Sequence, residues 1–286
     1  MIGGALVPAL AAAGCEVTRL VRGASPAAGE IAWDPNLPLA PERVSGFDAL
    51  IHLSGESLVG RWTVAKKKSI VQSRVMTTRA LSDAAAKAPQ RPRSFLCASA
   101  VGYYGNRGDD LLREDAPPGD QFVSELCRQW EGASRSAATA GIRTVHMRFG
   151  LILSGEGGAL RQMLPPFRLG LGGKTGDGRQ WMAWIALPDV VRAIQWLLNH
   201  DSLSGPVNLV SPNPVRNAEF AKTLASVLSR PAIFSLPAFA VRLALGEMGE
   251  EILLSSQRAE PAKLAASGYV FEQPDLRQAL QKILHR

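Results

Sequence analysis

The 286-residue chain lacks any apolar run of the roughly 18 to 20 residues that a membrane-spanning helix needs, and this excludes a helical membrane protein. It also lacks the basic opening segment of a secretory leader. Residues 2–13 are apolar, but Gly14 ends them as a helix is ended. Cysteine is scarce: Cys15, Cys97 and Cys127 are widely spaced and odd in number. They make neither a metal pattern nor a disulfide framework, so each is expected to be a small buried hydrophobe in a reducing, cytoplasmic compartment. Clustered charge is sparse too. The net charge is +7, yet Lys66, Lys67 and Lys68 form the one tight basic run, which reads as a solvated helix face. No nucleic-acid-binding motif accompanies it. The expected partner is therefore a small-molecule substrate, with no nucleic acid and no membrane, and no oligomeric state is assigned. H-E-x-x-H, G-x-x-x-x-G-K-[ST] and G-x-S-x-G are all missing, which removes zinc-protease, P-loop and serine-hydrolase chemistry.

What is present is an ordinary globular composition, 46% hydrophobic and 20% charged, arranged as strands alternating with helices. Residues 2–13 read as a helix, 16–21 as a strand rich in β-branched residues, and 48–53 as a short apolar strand. Residues 63–87 follow as a long helix, 94–98 as a buried strand and 120–140 as an amphipathic helix. Then come a strand at 143–148, a helix at 188–199 with Pro188 in its first turn, and a strand at 207–210. Such alternation implies βαβ units and a doubly wound, parallel α/β sheet of the dinucleotide-binding Rossmann type. After residue 211 prolines punctuate short helical stretches such as 218–228 and 275–284. The expected organisation is a dinucleotide-binding domain over 1–210 and a small, mainly helical substrate or cap domain over 211–286.

A dinucleotide fold opens with a strand, a glycine-rich turn and then a helix whose N-terminus faces the pyrophosphate. This chain opens inside the helix, with Gly3 standing as the third glycine of a G-x-x-G-x-x-G fingerprint. The expectation is a truncated N-terminus, with the first strand and two glycines lying in roughly ten residues upstream. The strand at 16–21 runs into Arg22, with Arg19 just before it. Arginine there pairs with a 2′-phosphate, where a carboxylate would accept from a free 2′-hydroxyl, so NADP(H) is favoured over NAD. Leu53-Ser54-Gly55 then falls at the carboxyl end of the sheet.

Ser54-Gly55-Glu56-Ser57-Leu58, Arg61-Trp62, Ser73-Arg74-Val75 and Thr77-Thr78 resemble the epimerase-like family of atypical extended short-chain dehydrogenases/reductases, in the NAD-dependent epimerase/dehydratase superfamily. The resemblance continues through Ser99-Ala100-Val101-Gly102-Tyr103-Tyr104-Gly105, Trp130-Glu131, Arg148-Phe149-Gly150, the stretch 165–173, Gln180-Trp181-Met182-Ala183-Trp184-Ile185 and the tail around Ser255-Ser256-Gln257-Arg258 and Gly268-Tyr269. It implies cofactor contacts from Gly3, Val21, Arg22, Leu53, Ser54, Arg74 and Ile152. It also implies a substrate-facing hydroxyl at Ser99. Without it, Arg74 reads equally as a salt-bridged surface arginine and Ser99 as a backbone cap.

The resemblance breaks at the proton-transfer step. Ordinary members carry Tyr-x-x-x-Lys on a helix, where the i, i+4 spacing puts both side chains on one face and the lysine lowers the phenol pKa. Aligned on Glu131, the two positions here are Val123 and Cys127; shifted by one they are Phe122 and Leu126. The remaining catalytic candidates are Ser99, Tyr103 and Tyr104, with Glu125 weaker, and both tyrosines read equally as packing residues. His52 and His146 lie within apolar strands and read as core. Ala186 stands where the family usually has histidine, and Asp189 suits the start of the following helix. Two functions fit. One is an NADP(H)-dependent oxidoreductase or epimerase acting on a small carbonyl or carbinol; the other is a catalytically silent NADP(H)-binding protein that senses redox state or binds a partner.

Overall fold

Strand Ser94–Ala100 is buried along almost its whole length, and its side chains alternate between two cores. Leu96 and Ala98 pack with Leu6, Leu10, Ile194 and Leu197 from the helices on one face. Phe95 and Cys97 pack with Leu81, Ala84, Ala85 and Ala137 on the other. A strand apolar on both faces is stable only when both are covered, which is the condition of a parallel sheet between helix layers. The computed structural model, which describes residues 1–23 and 25–284, shows that arrangement. Its main sheet has four parallel strands in the order Gly205–Leu209, Arg143–Phe149, Ser94–Ala100, Ala49–His52. The doubly wound α/β expectation is met.

The helix expected at the start spans Ile2–Ala12 and packs against Leu187–Asn199, with Gly14 beyond it at φ +80°. That left-handed value is open to glycine at little cost. The helix expected over 63–87 starts at Val64, where Thr63 caps the Lys66 amide, and a π-turn at Gln72–Met76 interrupts it before Thr77–Lys87. The stretch 120–140 divides into Phe122–Gly132 and Arg135–Thr139. Ser134 marks the break, its hydroxyl donating to the Glu131 carbonyl and meeting His146 Nε2 at 2.8 Å. Cys97 and Cys127 are buried as expected; Cys15 is exposed, because it lies in the loop just past the Gly14 turn.

Periodicity did not reveal several short pairings. Arg19–Val21 pairs in parallel with Glu30–Ala32, held at its edge by the Arg19–Glu30 ion pair. Among the described residues, no strand bridges this pair to the main sheet. Val21 and Ile51 instead line a common cavity of about 2200 Å³, together with Leu6 and Leu10. Leu151–Leu153 pairs with Trp184–Ala186. Leu153, Leu164 and Trp184 share one apolar cluster with Phe220, Leu224 and Leu280 from the C-terminal helices Asn217–Val227 and Leu276–Leu284. Buried Asp189, in the first turn of its helix, accepts the Glu272 and Gln273 amides at 2.8 and 2.9 Å, tying the tail to the sheet. No described helix is long and apolar enough to cross a membrane.

Candidate active site

The large cavity gathers Gly3, Val21, Arg22, Leu53 and Ser54, five of the seven positions expected to touch the cofactor. Arg74 lies directly behind it. A Cβ on Gly55 would come 2.9 Å from the Arg74 guanidinium carbon, so the backbone and the head of this side chain are in close approach there. Ile152 stands apart, in register with Ile185 and packed against the main core. Arg22 is exposed at the cavity edge, while Arg19 is occupied by Glu30.

The π-turn carries Arg74 inward until it is 8% exposed, its guanidinium 5.1 Å from the Trp130 ring. π-turns inside helices recur at functional sites. Among the described residues Arg74 forms no ion pair; its hydrogen bonds to the Ile70 carbonyl and Ser73 hydroxyl are both long, at 3.4 Å. Burial holds its pKa below the ordinary value. The Glu56 carboxylate, itself paired with Lys66, acts on this charge from beyond hydrogen-bond distance, so the burial is only partly compensated.

Beside it runs a buried chain of polar groups. The Trp130 indole N–H donates to Thr78 Oγ1 at 2.9 Å, Thr78 Oγ1 meets His52 Nδ1 at 2.9 Å, and His52 Nε2 meets Ser54 Oγ at 2.6 Å. Burial, with the Arg74 charge adding to it, lowers the His52 pKa to about 4, so the ring is neutral at pH 7. Indole can only donate. Either ring tautomer leaves one hydroxyl proton over; Thr78 is fully buried and Ser54 exposed, so the better arrangement has Thr78 donating to Nδ1 and Nε2–H donating to Ser54. The Ser54 hydroxyl proton is then free to point at a ligand in the cavity.

A second network lies under the end of Ser94–Ala100. Ser99 Oγ donates to Glu131 Oε1 at 2.7 Å, and Arg148 clamps the same carboxylate through Nε and Nη2 at 2.8 and 2.9 Å. Arg148 Nη1 donates to Tyr104 OH at 3.0 Å, and Tyr104 donates to Asn208 Oδ1 at 2.6 Å. Burial opposes the Arg148 charge, but the Glu131 hydrogen bonds and charge outweigh it and hold its pKa above the usual value. Burial pushes the Tyr104 phenol up to about 12. Ser99 and Tyr104 are thus enclosed within protein. Tyr103 is half-buried, with the Arg148 guanidinium 3.5 Å from its ring centroid. Glu125 turns away to Arg128 and Gln129.

Val123 and Cys127 occupy one face of the Phe122–Gly132 helix, as their spacing requires. Val123 fills the space beside Gly102, where a Cβ would lie 2.4 Å from its Cγ1. Cys127 is fully enclosed; burial, with the Glu131 charge adding to it, pushes its thiol up to about 12. Glu251, carried on the π-turn Gly249–Leu253, accepts the Phe122 and Val123 amides at 3.1 and 2.8 Å and so caps this helix from the C-terminal part. Sequence reasoning missed Glu251, because nothing local links residues 128 apart. Thr78, Trp130 and Glu131 lay inside family-like motifs, but no partner could be assigned to them.

A parallel doubly wound α/β sheet with a large cavity beside it is the Rossmann-type, dinucleotide-binding fold. The family model described as NAD dependent epimerase/dehydratase family matches residues 1–209, and one described as a domain of unknown function (DUF1731) matches 236–283. The chain belongs to the NAD dependent epimerase/dehydratase family. It is 42% identical over 282 residues to an epimerase family protein of Mycobacterium leprae, covering 98% of this chain and 91% of that one. It is 37% identical to epimerase family protein SDR39U1 of Homo sapiens, covering 99% and 96%. The crystal structure of human SDR39U1 with NADPH superposes at a TM-score of 0.91, with 36% identity over 100% of this chain and 96% of that one. A nucleoside-diphosphate sugar epimerase from Corynebacterium glutamicum superposes at 0.82 with 36% identity, over 99% of this chain and 56% of its own.

Proposed function

We propose that the chain is an NADP(H)-dependent oxidoreductase acting on a small carbonyl or carbinol. The observation that carries this reading is Arg74, buried, without an ion pair among the described residues and close behind Gly55, which lines the cavity. That donor set fits a dinucleotide: Arg74 for a phosphate or ribose oxygen, Ser54 as a hydroxyl donor, and Arg22 for the 2′-phosphate. The NADPH bound to human SDR39U1 agrees with it. When bound, the cofactor supplies a hydride donor or acceptor. The chain's own residues hold and orient it. His52, kept neutral, aims the Ser54 proton; Glu131 and Arg148 fix Ser99 and the tyrosine pair beneath the reacting edge, with Tyr103 the phenol nearest the open side. The C-terminal part walls the substrate side through Glu251. Three unpaired thiols suit a reducing, cytoplasmic compartment.

Titration with NADPH and NADH tests the reading. NADPH should bind at least tenfold tighter, about 1.4 kcal/mol, and Arg22→Glu should remove most of that preference. Equal affinities before and after the change would overturn it. The catalytically silent alternative draws on Val123 and Cys127 at the proton-transfer positions. Tight NADPH binding without turnover across aldehydes, ketones, quinones and nucleotide sugars would select it.

A further inference from the structure

The C-terminal part presents carbon where a folded surface is ordinarily polar. Helix Ala238–Leu245 seats Val241 inward, so close to Gly249 that a Cβ there would lie 2.6 Å from the valine Cγ1. Phe239 and Leu243, one turn apart on the opposite side, stand 70% and 75% exposed. The strand before this helix, Phe234–Leu236, pairs in parallel with Gly173–Thr175. It leaves Phe234 and Leu236 open to solvent, and Ile233, just ahead of it, is 78% exposed. The loop holding exposed Leu169 and Leu171 adjoins the same strip. Arg230 Nε donates to the Arg168 carbonyl at 2.8 Å, and a Cβ on Gly170 would meet the Pro231 ring at 3.5 Å. None of these exposed apolar side chains lines the large cavity.

Single exposed apolar residues are ordinary, whereas a strip drawn from a loop, a strand and a helix marks a contact surface. Its charge points to what covers it. The two stretches that build it, 161–176 and 229–246, hold Arg161, Arg168, Lys174, Arg230 and Arg242 and not one carboxylate. Among the described residues Arg242 alone of these is ion-paired, with Glu250. A second copy docking across a twofold axis would bring this cationic rim against itself. An anionic surface gains from every one of the cations. Apolar side chains standing out among arginine and lysine are the layout of a segment that lies in the interfacial plane of a bilayer.

We propose that this face docks on an anionic lipid bilayer. Phe239, Leu243, Ile233 and Leu171 enter the headgroup boundary, and Arg168, Lys174 and Arg230 meet lipid phosphates. What the sequence lacks is a helix able to span a bilayer; lying on one requires none. The contact is independent of the cofactor reading, because the strip and the cavity share no side chain.

Flotation with lipid vesicles tests the proposal. At low ionic strength the chain should rise with vesicles of mixed phosphatidylglycerol and phosphatidylcholine, stay behind with phosphatidylcholine alone, and be loosened by added salt. Phe239→Ser combined with Leu243→Ser alters two exposed positions and should weaken binding to the anionic vesicles at least roughly tenfold. Arg168→Glu combined with Lys174→Glu should also weaken it roughly tenfold or more. Val270→Ser, which removes an exposed apolar side chain outside the strip, should leave binding as in the parent. A chain that ignores anionic vesicles would overturn the proposal. Binding that survives the loss of both Phe239 and Leu243 would do so too, since it would be adsorption by charge alone. A dimer in solution that the same double change dissolves would assign the strip to a second copy instead.

Discussion

At the end of Ala49–His52 the buried polar groups stop short of saturation, whereas at the end of Ser94–Ala100 they are fully engaged. On the first edge Ser54 is exposed at the end of the His52 chain, and Arg74 keeps a guanidinium with no ion pair among the described residues. On the second, Ser99, Glu131, Arg148, Tyr104 and Asn208 close on one another. The adjoining helix face carries Val123 and Cys127, both packed in an apolar cluster. Incomplete polar groups in a low dielectric persist where a ligand completes them. Closed ones rigidify a frame. On the proposed reading, ligand recognition belongs to the first edge and shape to the second.

The sharpest way to break this contrast is to open the closed network. Glu131→Leu leaves Arg148, 2% exposed, without its partner, and should cost about 3–5 kcal/mol in urea denaturation. Glu131→Gln, which keeps the acceptor oxygen, should cost clearly less. A Leu variant as stable as the parent would mean the network is not the frame described.

The next effect belongs to His52. Its folded pKa is about 4 against an ordinary 6.5, so between those values the unfolded chain binds the extra proton. Stability is therefore fully present above pH 6.5 and is lost as pH falls toward 4, by about 3 kcal/mol. Melting curves across that window should show the loss, and His52→Gln should flatten it. An unchanged slope in the variant would place the titrating group elsewhere.

Arg74→Met tests the open edge directly. NADPH binding should weaken by roughly 1.5–3 kcal/mol, the worth of a charged hydrogen bond, while the melting temperature holds or rises, because an unpaired buried cation is removed. A loss of stability with unchanged NADPH affinity would make Arg74 a structural residue. The smallest effect is expected at Glu251→Ala, about 1 kcal/mol from the lost cap on Phe122–Gly132, read in the same urea titration.

Much of the frame was legible in the sequence. Period-2 and unbroken apolar runs located the four main strands, and Gly14 marked the end of the first helix. Leu53-Ser54-Gly55 and Arg22, expected at the dinucleotide edge, line the large cavity, and that much was legible because strand ends and loop residues are local features. Short pairings such as Arg19–Val21 with Glu30–Ala32 and Leu151–Leu153 with Trp184–Ala186 escaped, since two- and three-residue strands carry too little pattern to register. The same holds for the π-turn at Gln72–Met76. A helix-period pattern does not show the one extra residue in the turn that swings Arg74 inward.

By itself, then, the order of residues determined the α/β class, the apolar character of Val123 and Cys127 on one helix face, and which charged side chains were available. Those are properties of single positions and of periods of two and 3.6. Only the tertiary structure decided which of those groups are spent and which are free. Ser99 and Tyr104 became frame because Glu131 and Asn208, 32 and 104 residues further along, reach them. Arg74 is left without an ion pair among the described residues, with Glu56 acting on its charge only from a distance. Hydrogen-bond partnership across such distances is set by packing, and packing is where the chemistry of this protein was allotted.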